Sequence, residues 1–146
     1  MTYQSVRADD GTRYLRLQRS SDTSLVRDPV TGEERYVEND RLEPIDDAPL
    51  AIAARGVDED VRSLVVAVPD ERTLGFLLEL ADHGPLGVRT ILDAYEFCES
   101  DLHGRLTMLT MAGVLEQTTV AGERGYALTE SGRAGLEALR GRSREP

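Results

Sequence analysis

The sequence predicts an α+β fold: a small antiparallel β meander, then a helical region that ends in a hairpin and a last helix. Three observations predict it. Turn-forming residues punctuate the first 40 or so positions about every ten residues, the spacing of short strands. From Val57 onward apolar residues recur three and four apart, the period of a helix. Between the two textures lies Glu-Pro-Ile-Asp-Asp-Ala-Pro at 43–49.

Residues 3–8 and 12–19 flank Asp9-Asp10-Gly11, a strong hairpin turn. Residues 20–22 turn the chain into a third strand at 23–28, and Asp28-Pro29-Val30-Thr31-Gly32-Glu33 leads into a fourth at 34–38. Leu15 and Leu17 alternate with Tyr14, Arg16 and Gln18, so one face packs while the other stays wet. Four such strands hold few large apolar residues. The module is expected to lean on the helical part or on a second subunit.

Pro49 suits the first position of a short helix through Arg55, closed by Gly56. Val57, Val61, Leu64, Val65 and Val68 form the apolar stripe of the next helix, which Pro69 ends. Asp70 caps a helix with Leu74, Leu77, Leu78 and Ala81 inward, stopped at His83-Gly84-Pro85. Val88, Ile91, Leu92 and Tyr95 mark a short second helix. Ser100 is the expected N-cap of a third, with Leu102, Leu106 and Leu109 on one face and Gly113 at its end. Residues 114–120 and 125–128 then pair around Ala121-Gly122-Glu123-Arg124. Thr129 caps a last helix whose apolar positions include Leu136 and Leu139. The expected division is a β module at 1–45, connecting helices at 46–69 and a helical domain at 70–146.

Composition bounds the function. The chain has 146 residues, 27 acidic against 17 basic, and a net charge of −10. Every basic residue is Arg. Such a Lys-free acidic chain resembles proteins of extreme halophiles, in particular haloarchaea, whose acidity keeps them dissolved in concentrated salt. At about 1 M salt the Debye length is only ~3 Å, so net acidity does not exclude DNA. No apolar run approaches the ~18 residues of a membrane span, and the start MTYQSVRADD has no apolar segment. A cytoplasmic location is expected, with no membrane partner. The single Cys98 excludes an internal disulfide and reads as a small, semi-buried thiol, with a redox-sensing role as the weaker alternative.

Three helices, a two-stranded wing and a closing helix follow winged helix-turn-helix order. On "GVLE" at 113–116 and "RGYALTESG" at 124–132, together with the helix spacing, residues 71–140 resemble winged-helix regulators of the MarR, PadR and ArsR type, especially haloarchaeal ones. The resemblance implies a transcriptional regulator that binds double-stranded DNA, expected as a homodimer. The helix near 100–112 would then enter the major groove. Its outer face presents Ser100, His103, Gly104, Thr107, Met108 and Met111, with Arg105 at the edge as a guanine reader. Arg124 at the wing tip is placed for a minor groove or a phosphate, and Arg89 and Arg133 for the backbone. Arg72 and Arg13 are weaker candidates.

The alternative is a winged-helix protein-interaction module without DNA binding, since Met adapts to irregular apolar surfaces and the β module could take a protein partner. An enzyme is not expected, because no P-loop, GxGxxG or GxSxG is present. His83, His103, Cys98, Glu99 and Asp101 lack zinc-site spacing, so no metal and no cofactor are expected.

Overall fold

Residues 2–141 are described by a computed structural model, in which the chain is mixed α+β with an N-terminal antiparallel sheet and six helices. It divides into two units between Asp58 and Glu59.

The first unit contains β1 (Gln4–Ala8), β2 (Arg13–Arg19), β3 (Thr23–Arg27), β4 (Glu34–Glu38), β5 (Leu42–Pro44) and α1 (Pro49–Ala53). All pairings are antiparallel, in the order β4-β3-β2-β1-β5. The strands β4 and β5 are opposite edges, yet a single 3-10 turn, Asn39–Arg41, joins them. Four Cα steps span at most ~15 Å. The edges of a flat five-stranded sheet would stand about 19 Å apart, four spacings of ~4.8 Å. The sheet therefore curls. Its inner face buries Val6, Ala8, Tyr14, Val26, Val37 and Leu42. The outer face packs Leu15 and Leu17 against Ile52 of α1, with Leu25 and Ile45 alongside.

The second unit contains α2 (Glu59–Ala67), α3 (Glu71–His83), β6 (Leu86–Gly87), α4 (Val88–Ala94), α5 (Glu99–Met111), β7 (Leu115–Val120), β8 (Glu123–Leu128) and α6 (Glu130–Arg140). Its sheet runs β6-β8-β7. One apolar cluster joins Leu64, Phe76, Leu77, Leu80, Ile91, Leu102, Leu106, Leu109, Tyr126, Leu128 and Leu136 from all of its helices and from β8.

Several expectations are corrected. The segment 46–69 is no unit of its own, because Ile52 ties α1 to the first sheet while Leu64 and Ala67 of α2 enter the second core. The stripe of α2 is narrower than its valines suggest. Val57 precedes the helix, and it and Val65 are exposed. In α3 the deeply buried residues are Thr73, Phe76, Leu77 and Leu80; Leu74, Leu78 and Ala81 are only partly buried, so the inward face is turned by about a residue. On α6 Leu136 is buried and Leu139 exposed. The strands β5 and β6, three and two residues long, are too short to show any alternation.

Glycine permits the closest approach between α2 and α6. A Cβ on Gly135 would lie 2.5 Å from the Asp60 carbonyl oxygen and 2.7 Å from Leu64 Cδ1, so only a bare backbone lets the two helices meet here. Gly135→Ala is expected to destabilise the protein by about 1–3 kcal/mol through overpacking, despite alanine's higher helix propensity. Chemical denaturation checks this, and a stabilised variant would show that the helices can separate at no cost.

Candidate nucleic-acid interface

Helix α5 is placed by its inner side. Leu102, Leu106 and Leu109 enter the core of the second unit, and their spacing turns the opposite face outward. That face carries Ser100, His103, Gly104, Thr107, Met108 and Met111, all exposed. Met108 and Met111 are 60% and 82% exposed, which is unusual for methionine on a helix whose inner face is fully occupied. A Cβ on Gly104 would meet nothing within 4 Å, so the surface there is open.

Arg105 is the main correction. Instead of projecting from the edge of this face, its side chain is 16% exposed and folds back onto the start of α3. Its Nε donates to Asp101 Oδ2 at 3.1 Å, one helical turn earlier. Its Nη1 donates to both Asp70 oxygens, at 2.8 and 3.0 Å, and to the Thr73 hydroxyl. Its guanidinium carbon lies 5.5 Å from the Phe97 ring centre, with Arg72 over the same ring at 4.7 Å. With two carboxylates in reach, charge-assisted bonds hold the guanidinium against the protein. Arg72 is likewise engaged, with its Nη1 3.9 Å from Asp101 and its Nη2 donating to the Glu96 carbonyl.

Ser100 is not the N-cap. Cys98 holds that position without a side-chain cap bond, and Ser100 lies in the first turn with its hydroxyl 3.7 Å from Cys98 Sγ. Cys98 is exposed rather than semi-buried. The Asp101 amide, and after it the Ser100 hydroxyl, pull its thiol pKa below the ordinary value.

Arg124 does not sit at a wing tip. The tip is the two-residue turn Ala121–Gly122, with φ of +50° and +83°, and Arg124 lies within β8 opposite Thr119. It is exposed and lines a recess of about 580 Å³ with Val88, Ser100, His103 and Leu106. The structure thus brings Ser100, His103 and Arg124 together. Arg89 is exposed on α4, its amide donating to Glu123 Oε1 at 3.2 Å. Arg133 is exposed on α6. On the other flank of α5, His103, Thr107 and Met108 line a mainly apolar groove of about 610 Å³ with Ala67 and Pro69.

Sequence reasoning missed Asp70, Thr73 and Phe97 as the group that holds α5. The cap at Asp70 was legible, and its side chain accepts from the Thr73 amide at 2.9 Å. The spacing of Asp101 and Arg105 was a legible i, i+4 ion pair. Nothing local showed that Asp70 and Arg105 meet across 35 residues. Among the described residues, no three His, Cys, Asp or Glu side chains are grouped to hold a metal, and no helix is long and apolar enough to cross a membrane.

Over residues 3–140 the sequence matches a protein family described as a family of unknown function (DUF7346). No curated protein and no solved structure matches.

The Arg105 hydrogen bond, and after it the Thr73 amide, lower the Asp70 pKa from 3.8 to about 2. A folded value below the unfolded one stabilises the protein fully above the unfolded pKa, and this is lost as pH falls toward the folded one. Asp70→Asn keeps the cap but removes the charge. The stability gap between wild type and variant is therefore expected to narrow from pH 3.8 down to about 2. Unfolding curves across that window check it; a constant gap would mean that the Asp70 carboxylate is not held by Arg105.

Proposed function

Because the chain belongs to the DUF7346 family, whose function is unknown, we propose one from its own surfaces: the second unit is a winged helix-turn-helix that binds double-stranded DNA as a transcriptional regulator. The observation that carries the reading is the open polar face of α5 with Arg124 of the β7–β8 hairpin beside it. Supporting it is the element order, in which α3, α4 and α5 precede the hairpin and β6 pairs with β8.

In this reading α5 lies in the major groove. Ser100, His103 and Thr107 bond base edges or phosphates, Met108 meets a thymine methyl, and Gly104 lets the backbone come close. Arg124, Arg89 and Arg133 contact phosphates or a flanking groove. Arg105 becomes a positioning residue, setting the angle of α5 through Asp70 and Asp101. The second unit has few cations to offer, 14 acidic residues against seven Arg over 59–141, and three of those Arg are engaged by carboxylates. Two copies reading adjacent half-sites would supply the affinity that one weakly charged helix lacks.

A second reading is favoured by one observation: Met108 and Met111 stand exposed on a face without Arg or carboxylate. A protein partner fits such a face as well as a base edge does.

Chromatin immunoprecipitation of the tagged protein in its host tests the two. A DNA regulator gives sharp promoter peaks that Arg124→Ala abolishes. With purified protein and a recovered site, the slope of log K against log salt is expected near −3 per copy for three phosphate contacts, falling by about 1 in Arg124→Ala. No enrichment above an untagged control overturns the DNA reading and favours the interaction module.

A further inference from the structure

Gly104 stands midway along α5, where glycine is a poor helix former. Internal packing does not demand it, since a Cβ there would meet nothing within 4 Å. What the missing side chain leaves open is the groove of about 610 Å³ between α5 and the end of α2. Its walls are mainly apolar, with Ala67 and Pro69 on one side and Met108 on the other. Met108 is 60% exposed, so a polarisable, adaptable side chain is left for an occupant to meet. A volume of this order is that of a small-molecule site.

The charge along the groove selects the occupant. The charged side chains among its walls are Asp70, Asp101 and Arg105. Arg105 is the covered one, its side chain 16% exposed against 44% for Asp70 and 38% for Asp101. The guanidinium is thus withdrawn while both carboxylates stay open to solvent. A carboxylate accepts through about four lone-pair sites. Asp101 receives Arg105 Nε at 3.1 Å, with Arg72 3.9 Å away, and keeps capacity for a further donor. An anion at this edge is repelled, and a wholly apolar molecule strips water from the carboxylates without replacing its hydrogen bonds.

We propose that this groove binds a small organic cation, a primary ammonium that donates to the Asp70–Asp101 edge while its hydrocarbon tail lies along Ala67, Pro69 and Met108. The tail covers Gly104 and Met108, which the DNA reading sets against bases, so ligand and DNA exclude each other. That consequence rests on the DNA reading; the site itself does not.

The test uses the full chain with ¹³C-labelled methionine methyls and no DNA. Hexylammonium, 1-hexanol and hexanoate are titrated separately at constant ionic strength, so that one tail carries three heads. Met108, assigned by the loss of its methyl signal in Met108→Leu, reports from the groove. Met111, which is outside its walls, is the surface control. The Met108 signal is expected to move and saturate with hexylammonium at millimolar concentration. 1-Hexanol is expected to bind roughly fivefold more weakly, the difference between a charge-assisted and a neutral hydrogen bond, and hexanoate more weakly still. Asp101→Asn is expected to weaken hexylammonium by about the same factor and to leave 1-hexanol unchanged, which a distorted groove would not do. Gly104→Leu has room in the fold and is expected to fill the groove and remove the Met108 response. The proposal is overturned by a Met108 signal that moves with none of the three or that drifts linearly together with Met111. A response to 1-hexanol or hexanoate as strong as that to hexylammonium overturns it equally.

Discussion

The bond between Arg105 and Asp70 sets what the second unit can show to a partner. Asp70 caps α3, and the same carboxylate receives the guanidinium from the middle of α5. One anion thus satisfies a helix terminus and fixes the angle of another helix. Phe97, with Arg105 and Arg72 over its ring and Phe76 edge-on at 6.0 Å, closes the corner on the apolar side. Once Arg105 is used this way, the outer face of α5 is left with a hydroxyl pair, an imidazole, a glycine and two thioethers. The chemistry of that face is defined as much by the cation it lacks as by the groups it shows.

Much of this fold was legible because its signals are local. Gly11 and Gly32 in the turns, Pro49 and Pro69 at helix edges, and the caps at Asp70 and Thr129 act over a few residues, and each marks an element boundary. Leu102, Leu106 and Leu109 likewise fixed the inner side of α5. What was not legible depends on distant pairings. The register of Arg124 within β8 rather than in a loop follows from a two-residue turn whose first residue is Ala121, where Asn or Gly would be the usual sign. The narrow stripe of α2 reflects contact with Gly135, 75 positions after Asp60. The folding-back of Arg105 required a carboxylate 35 residues earlier. In each case residue type was informative and spatial partner was not.

Acidity shapes the surface by spending arginines. With 27 carboxylates and 17 guanidiniums, acids outnumber the cations they can meet, and both units hold ion pairs: Arg7 with Glu43, Arg140 with Asp82, Arg105 with Asp70 and Asp101. Exposed pairs of this kind add little stability individually. Their larger effect is on the charges that remain, since an Arg without a carboxylate stands out. On the second unit Arg89, Arg124 and Arg133 are such exposed cations.

The β7–β8 hairpin is laddered along its whole length, from Leu115 opposite Leu128 to Val120 opposite Glu123, and its turn has only two residues. There is no slack at its end. Arg124 rides on backbone already fixed on both sides, so a partner that meets it does not have to freeze a wandering loop, a cost of about 1–2 kcal/mol for each residue ordered. The same stiffness removes tolerance: a surface that stands slightly too far away cannot draw the hairpin toward it. What could lie against this hairpin is therefore limited first by contour, the spacing and curvature of the approaching surface, and only then by chemical groups.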